Sequence, residues 1–303
     1  MIPIKKILCP VDFSDAMPFA LRPALSLAEE NDAELVLLHV LKYPYPYVGG
    51  LAGHIDVDSY YDSIEEVAKH RLDALRADHG KSARVVHTAI FRGVPDEVIV
   101  GYAGDENVDL IVLPTHARTG VEHWLIGSVA EKIVRTSPCP VLTVSPRQES
   151  PQPFHPSTIL FATDFSEHAN RALPAAVELA EHYGAELVMI HVVTVWNNDP
   201  ANPDWRFPEL PEEHREAIEE AVRLHLDASL ASIETDHDAI RTRHVRGFDP
   251  GLDLVEAARE EGADLIVLAT HGRLGLGHML IGSTAEKVIR YAECPVLSIK
   301  PAG

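Results

Sequence analysis

The stretch that begins at Ile7, ILCPVDFSDAMPFALRPALSLAEENDAELVLLHV, returns from Ile159 as ILFATDFSEHANRALPAAVELAEHYGAELVMIHV. A repeat on this scale constrains the chain more than any composition does, because the fold must be one that half the sequence completes and the other half builds again. Asp12 maps to Asp164 and His39 to His191, each at an offset of 152. His116 maps to His271, Gly127 to Gly282 and Cys139 to Cys294, each at an offset of 155, so three extra residues of the second copy lie between His191 and His271. Solenoid units are far shorter than this, and 303 residues suit two ordinary domains. The expected organisation is a first domain over 1–146, a linker over 147–156 in the Pro-rich and polar segment SPRQESPQPFHPST, and a second domain over 157–303.

Within each copy, short β-rich runs alternate with helical patterns. In the second copy Thr158–Ala162 reads as a strand, Ser166 to Tyr183 as a helix stopped by Gly184, and Glu186–Val193 as an unbroken apolar run of the kind buried parallel strands show. Glu212 to Ile233 reads as helix, Arg241–Arg246 as an alternating strand broken by Gly247, and Pro250–Glu261 as a short helix. DLIVLAT is a buried strand, Ser283–Ala292 a helix and PVLSIK the final strand. The order βαβαβαβαβ implies a doubly wound α/β fold, a parallel sheet covered by helices on both faces, present twice. The first copy reads the same way, with a kink or a late start expected where Pro23 falls inside its first helix.

Charge and composition remove several functions. The net charge is −20, spread over both copies: residues 1–150 hold 14 Lys+Arg against 21 Asp+Glu. Such a surface repels phosphate backbones and anionic lipid, so no nucleic-acid partner and no membrane partner is expected. A small anion is not excluded, since a local nest of backbone N–H groups overcomes a diffuse field. No apolar run reaches the length of a membrane span, and the N-terminus carries no secretory signal, which points to the cytoplasm. Cys9, Cys139 and Cys294 are too few and too odd for a disulfide framework; PCPVLTV and ECPVLSI place two of them as small buried residues at strand starts. Seventeen histidines form no H-x-x-x-H or H-x-H cluster and the cysteines no C-x-x-C, so no metal site is expected.

Ligands of open parallel sheets bind beyond the carboxyl ends of the strands. Two loops there look specialised: ATDFS, Ala162–Ser166, after the first strand of the second copy (PVDFS, Pro10–Ser14, in the first), and ATHGRLGLGHMLIGST, Ala269–Thr284, after its fourth. Gly272 lets the backbone approach a ligand without a Cβ, and Gly282-Ser283-Thr284 opens a helix whose free N–H groups favour an anion. Ser283 with Glu286 and Ser128 with Glu131 also read as S-x-x-E capping boxes, which would satisfy those groups without a ligand. No P-loop is present. Asp164 reads either as a ligand contact or as a helix cap beside Phe165 and Ser166. His271 and His116 read as loop residues that bond a backbone carbonyl or as acid–base groups, and no convergent carboxylate favours the second. Arg273 either bridges to phosphate or is solvated, and His191 reads as a packed, hydrogen-bonded strand-end residue.

Two copies of a D-F-S loop, LHV at the end of the second strand, THGR after the fourth, then GS-x-A-E-K and CPVL, resemble the universal stress protein family in its tandem form. The resemblance implies five parallel strands per domain in the order 3-2-1-4-5, which makes strands one and four neighbours. ATP-binding members look like G-x-x-G, nine residues, then G-[ST]. The second copy matches from Ala269 through Gly272 to Gly282-Ser283, with Ala269 in place of the first glycine. The first copy has Pro114, Ala117, Gly127 and Ser128, so both early glycines are gone. By this resemblance Ala162, Thr163 and Asp164 line the adenosine side, Val192 faces the base, Asp164 bonds ribose or helps hold a metal, and Ala269, His271, Gly272, Arg273, Gly282, Ser283 and Thr284 surround the phosphates. The degenerate counterparts are Pro10, Val11, Asp12, Val40, Gly127 and Ser128.

The implied function is a stress-response protein that binds ATP, with or without magnesium, chiefly in the second copy, as a sensor or adaptor and not as an enzyme. A nucleotide-free interaction module and a slow ATP hydrolase are the alternatives. The resemblance also implies pairing of the two domains through their last strands and a homodimer of chains. The long segments after the second strand of each copy, rich in Pro and aromatics, read as lids, partner contacts or simple coverage.

Overall fold

A computed structural model describes residues 4–42, 57–79, 85–115, 126–146, 152–194, 211–270 and 281–300. The chain divides into two compact units, Pro3–Phe154 and His155–Gly303. The first unit runs β1 (Lys6–Pro10), α1 (Met17–Glu30), β2 (Glu34–Lys42), α2 (Val57–His79), β3 (Val85–Gly93), α3 (Pro95–Asp105), β4 (Leu110–Pro114), α4 (Ser128–Thr136) and β5 (Val141–Val144). The second runs β6 (Thr158–Ala162), α5 (Glu167–Tyr183), β7 (Glu186–Thr194), α6 (Glu212–Ala231), β8 (Ile240–Gly247), α7 (Pro250–Glu260), β9 (Leu265–Ala269), α8 (Ser283–Tyr291) and β10 (Val296–Ile299). Strand order is β3-β2-β1-β4-β5 in one and β8-β7-β6-β9-β10 in the other. The pairings are parallel and the order is the 3-2-1-4-5 that the resemblance implies.

The central strands are buried along nearly their whole length, as their continuous apolar runs require. Ile7, Leu8, Ile159, Leu160 and Phe161 are fully enclosed. Each such side chain contributes about 1.5–3 kcal/mol relative to leaving it in water. The amino ends of the sheets are stitched by one carboxylate apiece. Asp109 Oδ2 accepts the N–H groups of Lys5 (2.7 Å) and Lys6 (2.9 Å), and Asp264 Oδ2 accepts those of Ser157 (2.9 Å) and Thr158 (3.1 Å). That end is sealed by the protein itself, so the carboxyl ends are where the loops differ.

Helix starts differ between the copies. Ser166 caps α5, its Oγ accepting the N–H of Ala169 at 3.2 Å. The first copy has no such cap: α1 opens after Ala16 and begins two residues later in equivalent numbering, with Pro18 in its first turn. The expected late start is therefore present. The helix then continues through Pro23, and α5 likewise contains Pro174, which the periodicity does not flag. At the far end Gly184 takes the left-handed conformation (φ 62°), and the equivalent position in the first copy is Asp32 (φ 52°), one of the few side chains that tolerate it. At the far side of the inter-copy segment, Phe154 is buried and its N–H is bonded by Ser26 Oγ at 2.7 Å, so the segment ends anchored on α1.

Candidate functional site

At the carboxyl end of β6 the chain leaves the sheet under tight control. Thr163 N–H donates to Ile190 O at 2.9 Å, continuing the ladder with β7 by one residue. Its carbonyl accepts from His191 Nδ1 at 2.7 Å, and its hydroxyl accepts the N–H of Phe165 at 3.0 Å. A carbonyl only accepts, so the proton in the His191 bond sits on Nδ1. Asp164 Oδ1 accepts Ser166 N–H at 3.0 Å. Phe165 lies at φ 61°, a left-handed conformation that costs a bulky side chain about 1–2 kcal/mol. Its ring rests 4.4 Å from the His191 ring and 5.4 Å from that of His225 on α6. Asp164 is half-buried, and the helix cap is Ser166, one turn of chain further on; the reading of Asp164 as the cap itself is corrected.

Beside this loop β9 ends. Ala162 pairs with Leu268, so Thr163 and Ala269 leave the sheet side by side. Thr270, buried, donates its N–H to Ile299 O at 3.1 Å, and its carbonyl accepts Gly282 N–H at 3.0 Å, pinning both ends of the segment between them. Gly282 is the N-cap of α8 at φ −63° and ψ 142°, and no side chain caps that helix among the described residues. The capping box expected from Ser283 and Glu286 is not formed. Ser283 is already the first helical residue, one position too late to cap, and Glu286 pairs with Arg290 at 2.5 Å instead. The same correction holds for Ser128 and Glu131, because Gly127 is the N-cap of α4. The backbone of Gly282 is open to any residue, and a Cβ there would meet only Thr270 O at 3.5 Å. The local fold does not demand this glycine, which leaves the space in front of the helix as its use. Exposed Ser283 and half-buried Thr284 border it, and Val192, nearly buried on β7, lies on the same end of the sheet. His271, Gly272 and Arg273 lie outside the described residues.

The first copy repeats the frame. Val11 N–H donates to Leu38 O at 2.8 Å, and its carbonyl accepts from His39 Nδ1 at 2.6 Å. Phe13 stands at φ 59° with its ring 4.7 Å from His39. Arg71 of α2 places its guanidinium 4.1 Å over the Phe13 ring. Asp12 is exposed, and its Oδ1 accepts both the N–H (3.0 Å) and the hydroxyl (2.7 Å) of Ser14. Gly127 N–H is held by Thr115 O at 2.7 Å. Pro10 ends β1 against Leu38, Val40 is nearly buried on β2, and Ser128 is exposed at the start of α4. Pro114 ends β4; His116 and Ala117 lie outside the described residues.

The cysteines carry no chemistry here. Burial, with a smaller push from Asp12, raises the Cys9 thiol to about 12, and burial raises Cys294 to about 12. Cys139 is also raised, again by burial first. The thiols remain protonated and weakly nucleophilic. Among the described residues no group of three or more His, Cys, Asp or Glu is placed to hold a metal ion, and no helix is long and apolar enough to cross a membrane.

The left-handed phenylalanines and the histidine bonds beneath them escape a reading by residue type. The signal that carries them is the joint recurrence of D-F-S and L-H-V at the one offset of 152.

The fold and this loop pair define a tandem doubly wound α/β protein with its ligand face at the carboxyl ends of the strands. The universal stress protein family model matches residues 3–145 and again residues 156–300, and the chain belongs to that family. A universal stress protein of Methanocaldococcus jannaschii is 35% identical over 150 residues, covering 48% of this chain and 85% of that protein. One from Mycolicibacterium smegmatis is 27% identical over 305 residues, covering 97% of each. The crystal structure of a universal stress protein from Archaeoglobus fulgidus aligns with a TM-score of 0.68 at 23% identity, covering 99% of this chain and 98% of that one, which supports the fold.

Proposed function

We propose that the second copy binds an adenine nucleotide, ATP in the first instance, and that the chain acts in a stress response as a sensor or adaptor without being a dedicated catalyst. The observation that carries this reading is the start of α8. It opens on an N-cap glycine with no side-chain cap among the described residues, at the carboxyl end of a parallel sheet and beside the Asp164 loop. Gly282, Ser283 and Thr284 would hold the phosphates. Asp164 and Thr163 would meet the ribose and Val192 the base. Magnesium, where it takes part, would be held by the phosphates and Asp164. The cytoplasm and a dimer of chains belong to the same proposal, and light scattering that returns only the monomer mass removes the dimer. Isothermal titration tests the binding: ATP gives heat with the wild type and none with Gly272→Asp. No heat at millimolar ATP refutes it.

A second reading is a nucleotide-free interaction module, favoured by Ala269, Pro114 and Ala117 standing where the nucleotide pattern has glycine. Mass spectrometry of the denatured purified protein separates the two, since a stoichiometric nucleotide released on unfolding excludes the module.

A further inference from the structure

We propose that His191 is a positioning residue of the nucleotide site: it locks the Asp164 loop into its ligand-ready shape before any ligand arrives. This rests on reading the second copy as the nucleotide site. The loop has a problem that its own sequence does not solve. Phe165 must stand at φ 61°, which bulky residues seldom adopt, and a strained backbone persists only where its surroundings over-determine it.

His191 supplies two of those constraints from a different strand. Its Nδ1–H bonds the Thr163 carbonyl at 2.7 Å while Ile190 O takes the Thr163 N–H at 2.9 Å, so both polar groups of that peptide-flanked residue are tied to β7. Its ring then receives Phe165 at 4.4 Å, tilted by 34°. Between these two fixed points the direction of Asp164 is decided. The carboxylate is held once more by Ser166 N–H at 3.0 Å. The first copy repeats the device: His39 to Val11 O at 2.6 Å, Phe13 at φ 59°, rings 4.7 Å apart. There the early glycines of the phosphate segment are replaced by Pro114 and Ala117. The lock is therefore a property of the loop and not of the phosphate segment, as pre-organisation requires.

The test uses the full chain and three variants. His191→Leu removes the bond and the ring. His191→Asn keeps a donor close to the Nδ1 position and removes the ring. His39→Leu breaks the lock in the first copy only. Side-chain nitrogen NMR of the ligand-free protein is expected to place the His191 proton on Nδ1. In His191→Leu, amide exchange of residues 165–169 is expected to accelerate while β6 and β7 stay protected. ATP affinity by titration is expected to fall about tenfold, the loss of one buried hydrogen bond. His191→Asn is expected to recover affinity to within about threefold by restoring that bond. His39→Leu leaves the ATP affinity of the second copy unchanged. His191→Leu with wild-type exchange and wild-type affinity overturns the proposal. So does a loss of affinity that comes only with lost protection across the whole unit, since that is destabilisation and not positioning. A wild-type chain that gives no ATP heat overturns the nucleotide reading. The lock is then decided by the exchange arm alone, where unaltered rates in His191→Leu overturn it and accelerated rates support it.

Discussion

At the end of β1 Val11 buries two methyls where Thr163, at the end of β6, places a hydroxyl that accepts the N–H of Phe165 at 3.0 Å. That exchange of one residue redistributes the loop. In the first copy the Ser14 hydroxyl is spent on Asp12 at 2.7 Å, and Asp12 is exposed. In the second, the Ser166 hydroxyl caps α5 and Asp164 is half-buried. The outer face of the phenylalanine carries Arg71 in one copy and His225 in the other. The histidine bond and the left-handed phenylalanine are common to both. What the loop needs in order to exist has been kept twice, and what a ligand would touch has been free to diverge.

The largest expected effect breaks the copies apart at their helix starts. Gly282 and Gly127 hold ordinary backbone angles, φ −63° and −62°, so an aspartate at either position folds. In the second copy the new carboxylate would face the phosphates, and like charges brought together cost several kcal/mol, about a hundredfold or more in affinity. Gly282→Asp is therefore expected to abolish the ATP heat while Gly127→Asp leaves it within error. Equal losses from the two variants would make the first copy a nucleotide site as well.

A reciprocal exchange sharpens the loop comparison. Thr163→Val removes an acceptor from a partly buried N–H and is expected to lower the stability of the second unit by about 1–2 kcal/mol. Val11→Thr offers Phe13 the acceptor that Phe165 has and is expected to stabilise the first unit, by about 0.5–1 kcal/mol. Urea unfolding followed by amide exchange in each unit reads both. A Val11→Thr variant that destabilises would mean that the methyl it loses matters more than the bond it gains.

The edge strands give a pH-dependent contrast. On β8, Arg241 bonds Glu186 and Glu261, and Arg243 bonds Glu261 and Glu260, the last at 2.6 Å. The bond from Arg241, with help from Arg243, holds the Glu261 carboxyl below its ordinary value against the opposing effect of burial. A carboxyl depressed in the folded state adds stability above its ordinary value near 4.5, and that stability is lost as pH falls through the lower folded value. On β3 the only arginine, Arg92, pairs with exposed Asp62 and Glu65. The second unit is expected to lose more stability than the first between neutral pH and pH 3. Glu261→Gln is expected to flatten that difference by a few tenths to about 1 kcal/mol, the range of partly exposed pairs. Identical acid limbs in wild type and variant would remove Glu261 as the cause.

The fold was legible because duplication supplies two independent readings of each element, and the buried strands announce themselves by unbroken apolar runs such as ELVMIHV. Helix ends were legible to within a residue or two where a left-handed residue stops them, as at Gly184. The capping boxes were not. S-x-x-E is a local pattern, and whether its serine becomes the cap depends on where the carbonyl of Thr270 seizes the chain, which is decided from β9. The left-handed phenylalanines were hidden for a similar reason. Phe has no intrinsic preference for that conformation, and it is imposed by a histidine 26 residues further along, on the neighbouring strand.

The smallest expected effect lies in the last strands. Ser298 on β10 is 1% exposed, and its hydroxyl has no hydrogen-bond partner among the described residues. Thr143, at the matching place on β5 and 0% exposed, has a partner. An unanswered buried hydroxyl carries its full desolvation penalty, so deleting it gains more than the few contacts of its oxygen lose. Ser298→Ala is expected to raise the urea midpoint, by a few tenths to about 1 kcal/mol, with no change in slope. Thr143→Ala deletes a methyl and an engaged group together and is expected to lower it by about 1–2 kcal/mol. Opposite signs at two positions related by the repeat would show that the copies have diverged in their cores as well as in their loops. A Ser298→Ala variant as damaging as Thr143→Ala would show the two strands to be equivalent, and the divergence to be confined to the ligand face.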